Sequence, residues 1–182
     1  MAIDPQYAGK WNIDPAHSRI GFSTRHAMVA RVRGAFNEVS GEANLNAEAI
    51  DQSTVRVVIQ AASIDTRQGD RDNHLRSPDF LDVEQFPEIV FESNSIDEIS
   101  DNNYIVAGQL TIHGISRPVS VPLELIGIES DPSGAVRAGL EGTRRIDRQD
   151  WGVSWNTPLD SGGVLVSDKI TLEFELSLVK EQ

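Results

Sequence analysis

Four histidines, His17, His26, His74 and His113, are the side chains of this chain best suited to move a proton or hold a metal ion near neutral pH. Metal sites written into local sequence put their ligands at fixed spacings, such as two histidines four apart on a helix or paired cysteines. Neither pattern occurs, and there is no cysteine at all. No metal site and no protein-bound cofactor are therefore expected, and the histidines read as hydrogen-bonded residues of strand ends and loops. His26 and His74 keep one catalytic alternative open, a general base acting on a small hydrophobic compound. The arginines fall into two groups, Arg67, Arg71 and Arg76 in one segment and Arg144, Arg145 and Arg148 in another. Brought together, they would make a cationic spot for a phosphate or carbonyl head group. The plainer alternative is ion pairing with Asp70, Asp72, Asp79, Asp82, Asp147 and Asp150. Acids are plentiful, yet no spacing singles out a pair of the kind glycoside hydrolysis uses.

Positioning such groups falls to strands, because apolar residues recur at every second place over most of the chain. The last run is the clearest: Ile170, Leu172, Phe174, Leu176 and Leu178 share one side and Thr171, Glu173, Glu175 and Ser177 the other. A slip of one residue would bury the carboxylates, so its orientation is fixed. Ile20 with Phe22, Val55 with Val57 and Ile59, and Leu110 with Ile112 repeat the pattern. Asp101–Asn103 and Asp131–Gly134 carry turn chemistry, and Pro122 implies an edge, a bulge or a kink in its strand. About eight short, mostly hairpin-linked strands result. That number suits an antiparallel barrel wide enough for one small ligand, with a flattened sandwich as the alternative.

Ser63 to Phe86 interrupts the alternation. At this length a connector is usually functional, and Ser77 followed by Pro78 predicts a short helical segment near residues 70–83. Asp72 and Arg76, four apart, are placed to pair across it. Phe80, Leu81, Phe86, Trp151 and Trp155 stand in loops; they either plug the barrel's end or line the mouth of a cavity.

Composition bounds the rest. A chain of 182 residues, 39% apolar and 24% charged, fits one globular domain over residues 1–182, with residues 1–10 as a loosely held extension. A formal charge of -12 repels phosphate backbones, so nucleic acid is not an expected partner. No run of about 18 apolar residues occurs, so no integral membrane segment is expected. The opening MAIDPQYAGKW is no secretory signal, which points to the cytoplasm. A homodimer through an exposed strand edge is a further alternative.

The pieces WNIDPAHSRI (Trp11 to Ile20), FSTRH (Phe22 to His26), SIDT (Ser63 to Thr66), RDNHLRSPDFLD (Arg71 to Asp82), FPEIVF (Phe86 to Phe91), GQLTIHGIS (Gly108 to Ser116), RQDWG (Arg148 to Gly152) and GGVLVSDKI (Gly162 to Ile170) closely resemble the YceI-like, polyisoprenoid-binding family. The resemblance implies an all-β, lipocalin-like barrel whose apolar tunnel holds an isoprenoid quinone, a polyprenyl phosphate or a similar amphiphile, without catalysis. Many members of the family have Phe where Trp151 stands. Residues expected to line the tunnel are Ile20, Phe22, Val55, Val57, Ile59, Phe80, Leu81, Phe86, Phe91, Leu110, Ile112, Trp151, Trp155, Leu172, Phe174 and Leu176. His26, Arg71, His74 and Arg144 are expected near the polar head, and the expected partner is a hydrophobic small molecule or lipid that copurifies with the chain.

Overall fold

A computed structural model of the protein describes residues 4–182. The alternating stretches form eleven strand segments: β1 (Gly9–Ile13), β2 (Arg19–His26), β3 (Ala30–Phe36), β4 (Val39–Leu45), β5 (Thr54–Gln60), β6 (Ile64–Asp65), β7 (Glu88–Ser100), β8 (Asn103–Ile112), β9 (Ile115–Ser130), β10 (Val136–Asp147) and β11 (Lys169–Lys180). Three joins merge them. β1 and β2 lie end to end along β11, through Ile13↔Leu178 and Phe22↔Leu172. β3 and β4 continue one another against those two, and β5 and β6 flank a short turn at Ala61–Ser63. The eleven segments thus act as eight strands, each antiparallel to the next in sequence, and β11 closes the barrel on β1 and β2.

Closure of this kind gives every strand a neighbour on both sides. Among the described residues, one end of the barrel carries the connections 46–53, 101–102 and 131–135 and the N-terminal turn Pro5–Tyr7. The other is covered by the 66–87 segment and the 148–168 loop. Buried apolar residues form two clusters along the axis: Ile20, Ile59, Phe80, Leu110, Val119, Ile146 and Trp151 toward the covered end, and Trp11, Ala43 and Ala138 toward the other. Gly9 and Lys10 already pair with Leu45 and Asn44, and the Trp11 indole donates to the Tyr7 carbonyl at 2.9 Å, so the chain is tied in well before residue 10. Residues 1–3 of the expected extension lie outside the described residues.

The covering helix comes earlier than Ser77–Pro78 implied. It is α1 (Gly69–Arg76), and Gln68 begins it by accepting from the Arg71 N–H. Ser77 ends it, since the residue before a proline is pushed out of the helical region; its ψ is 168° and its hydroxyl donates to the His74 carbonyl. Asp72 and Arg76 do not pair. Asp72 is buried and accepts from the Thr66 N–H and hydroxyl, while Arg76 donates to the carbonyls of Ala62 and Ile64. Burial decides this: an enclosed carboxylate needs fixed donors, and Thr66 supplies two.

At the open end, Asp131 organises the β9–β10 turn. Its carboxylate accepts from the Ser133 hydroxyl and N–H, and from Arg137 Nε at 2.8 Å. These bonds, the Ser133 hydroxyl first and Arg137 next, hold its pKa down to about 2 from an ordinary 3.8. A carboxylate lowered by folding stabilises the fold fully above the unfolded value and loses that contribution as pH falls through the folded one. The Asp131 share of stability is therefore intact above about pH 3.8 and disappears as pH falls through about 2. A carboxyl-carbon NMR titration should place the Asp131 midpoint near 2, and Arg137→Ala should move it back toward 3.8.

Candidate functional site

Strand alternation turns one side of every strand toward the barrel axis, and those sides do not meet. They enclose a cavity of about 370 Å³ that runs from Tyr7, Trp11, Leu45 and Ile128 near the open end to Phe80, Leu81, Trp151 and Val153 beneath the cover. That is at the lower end of the roughly 300–1,000 Å³ usual for ligand pockets. Ile20, Phe22, Val55, Val57, Ile59, Phe91, Leu110, Ile112, Leu172, Phe174 and Leu176 all form its wall. The cross-strand rows Phe22–Leu172 and Ile20–Phe174 show how neighbouring strands present apolar groups at one level. Among the described lining residues only Glu42 and Arg148 are charged, and only Tyr7, Thr24 and Tyr104 carry hydroxyls. Such a wall offers a long molecule apolar contact along its length and few directional contacts.

Two expected wall residues stand aside. Phe86 lies edge-on to His113, with ring centres 4.9 Å apart, and packs over Gly114. Trp155 covers His74 at 4.6 Å and Phe80 at 5.3 Å, which makes it a second layer behind Phe80. Leu75 of α1 faces the cavity in their place.

The four residues expected near a polar head are not brought together, and none lines the cavity. His26 ends β2 and bridges to Val166. Arg71 folds back to donate to the Thr66 hydroxyl and carbonyl, each at 2.8 Å. His74 Nε2 sits 2.8 Å from Asp79 Oδ2, with its ring between the edges of Phe80 and Trp155. Arg144 stands in a groove on the barrel's flank. Among the described residues no three His, Asp or Glu side chains are gathered to hold a metal ion.

Arg148 is the residue that sequence reasoning placed least well. It belongs to the turn Arg148–Trp151, is 5% exposed, and donates to the carbonyls of Val153 at 2.7 Å, Ser167 at 3.0 Å and Val166 at 3.3 Å. Burial pushes its pKa down, and the nearby Asp168 and Asp147 oppose that. Its donors go to three carbonyls and, at 3.5 Å, to the Asp168 carboxylate, so it fastens the 148–168 loop over the tunnel's end. The signal was parity: Arg148 is two places beyond Ile146, on the inward side. Near the open end the Tyr104 hydroxyl also faces inward, and burial together with the cross-strand Glu98 carboxylate pushes its pKa up to about 12. Tyr104 thus keeps its proton and stays a hydrogen-bond donor across the physiological range.

The family model for the YceI-like domain matches residues 11–178 of this chain. A UPF0312 protein of Vibrio parahaemolyticus is 34% identical over 138 residues, which cover 76% of this chain and 73% of that protein. A UPF0312 protein of Shewanella denitrificans is 32% identical over 160 residues, covering 88% and 82%. Among solved structures, Burkholderia cenocepacia BcnA superposes with a TM-score of 0.79 at 24% identity, over 91% of this chain and 98% of its own. A polyisoprenoid binding domain from Saccharophagus degradans superposes with a TM-score of 0.71 at 13% identity, over 94% and 98%. At those identities the two structures establish the shared fold.

Proposed function

This chain belongs to the YceI-like domain family, and from that premise we propose that it binds one long apolar molecule in its barrel and so sequesters or carries it. The cargo is an isoprenoid quinone, a polyprenyl phosphate or a similar amphiphile. One observation carries the reading: the lumen is left open by its own side chains, and the wall is apolar almost throughout. The polyisoprenoid binding domain that shares the fold supports the same class of ligand. An isoprene unit brings about five carbons, each worth ~0.8 kcal/mol on burial. A few units therefore supply on the order of ten kcal/mol, from which immobilisation and chain ordering subtract a large part. The tail accounts for affinity with little selectivity, and the head group determines orientation.

Cargo bound only by the folded state stabilises it. At a free concentration about a hundred times Kd the gain is ~2.7 kcal/mol, which in a chain of this size raises Tm by roughly 5–10 °C. Stripping the purified protein with organic solvent and refolding it should lower Tm by that much, and adding geranylgeraniol or a short-tailed ubiquinone should restore it. An unchanged Tm through both steps would sink the proposal.

A further inference from the structure

β9 contains two prolines, Pro118 and Pro122, and it is an interior strand with β8 on one side and β10 on the other. Its ladder with β8 is unbroken from Ile112↔Ile115 to Asn103↔Glu124. A proline fits such a ladder only where its missing N–H would have pointed away from the partner. Both prolines therefore remove donors from the side of β9 that faces β10. The β9–β10 pairing accordingly runs from Val136↔Ser130 to Glu141↔Glu124 and goes no further, leaving the covered-end halves of the two strands unzipped.

A groove of about 690 Å³ occupies that seam, lined by Arg117, Arg144, Arg145 and Lys169 with Asp147 and Asp150. Three residues, Val119, Ile146 and Trp151, wall both the groove and the tunnel. Arg144 stands beside that shared wall. Its register partner on β11 is Leu172, a tunnel residue, so Arg144 springs from the inward side of β10; its side chain is nevertheless exposed and lies in the groove. Among the described residues Arg144 and Arg145 make no ion pair, whereas Lys169 holds Asp147 at 3.2 Å and Arg117 Nε donates to the Asp150 carbonyl. Four cations against two carboxylates stand out on a chain of net charge -12.

We propose that this seam is the head-group site of the barrel, taking the phosphate of a phosphorylated long-chain lipid on Arg144 and Arg145 while the tail lies in the tunnel. It rests on the tunnel reading above and adds the chemistry of the head. Guanidinium forks fit phosphate oxygens in pairs. The seam keeps that charge in water, where the apolar tunnel could not hold it.

Geranylgeranyl phosphate and geranylgeraniol share one tail and differ only in the head, and titrating both into the delipidated full chain separates the two contributions. The phosphate should bind about ten- to hundredfold tighter than the alcohol. Arg144→Gln with Arg145→Gln should erase most of that preference and leave alcohol binding unchanged. Inorganic phosphate should compete only at far higher concentration, because it has no tail. Equal affinity for the two lipids, or equal loss of both in the double variant, would overturn the seam assignment while sparing the tunnel. Competition by inorganic phosphate at matched concentration would make the groove a free-anion site and overturn the lipid assignment. Binding of neither lipid would remove the tunnel reading and this one with it.

Discussion

Phe174→Asp is expected to abolish uptake of a long-chain cargo. Phe174 lies on the tunnel wall in register with Ile20 on one side and Gly142 on the other. Its register neighbours Ile20 and Gly142 offer a carboxylate no cation, and Arg148, which also lines the lumen, is bonded to loop carbonyls. Seating an alkyl chain against it strips its water at a cost of several kcal/mol, so affinity should fall by about a thousandfold. The same cost acts on folding, so a companion variant guards the interpretation. Val57→Trp places an indole into the lumen from β5 without charge. It should keep the far-ultraviolet spectrum and cooperative melting of the parent while weakening binding at least tenfold by occupying the cargo's volume. Fluorescent-lipid displacement reads both variants. Unchanged affinity in both would mean that the cargo lies elsewhere.

Arg148→Met is expected to loosen the 148–168 loop and lower stability. Removing the guanidinium leaves the carbonyls of Val153 and Ser167 without their side-chain donor, while the Val166 carbonyl keeps Asn156 Nδ2 at 2.7 Å. Bonds from a charged donor contribute about 1.5–3 kcal/mol each where buried, and abandoned acceptors cost more than absent ones. Partial rescue by water leaves a net loss on the order of 3 kcal/mol, or roughly 6–12 °C in Tm. Arg148→Lys should recover little, because one ammonium group cannot span three carbonyls as a planar fork does. Hydrogen exchange should localise the change to residues 153–168. Melting within about 1 °C of the parent would show that the loop is fastened by something else.

The barrel was legible because its signal is local and repeated. Along β11 every second residue is apolar, and a one-place slip would bury Glu173 and Glu175, so sequence alone orients the strand. Members of the tunnel wall follow from the same parity, which is why Ile20, Phe22, Leu110 and Leu172 are readable from the sequence. The polar residues could not be placed that way. Arg71 turns back to Thr66 and His74 to Asp79, contacts that depend on where α1 starts, and that start was set by Gln68 and the Thr66–Asp72 bonds rather than by Ser77–Pro78. Arg148 finds carbonyls as far as nineteen residues away in a loop without periodicity. Pro122 was readable as a fault in its strand. That it lies inside the barrel, where it helps to part β9 from β10, required the neighbours on both sides.

Native mass spectrometry of the delipidated chain after incubation with an equimolar C20 isoprenoid tests the open, apolar lumen most directly. The expected spectrum shows one adduct per chain, retained in the parent and absent in Phe174→Asp. Only the bare chain mass for the parent, or the same adduct at full strength in Phe174→Asp, would contradict a cargo-holding barrel.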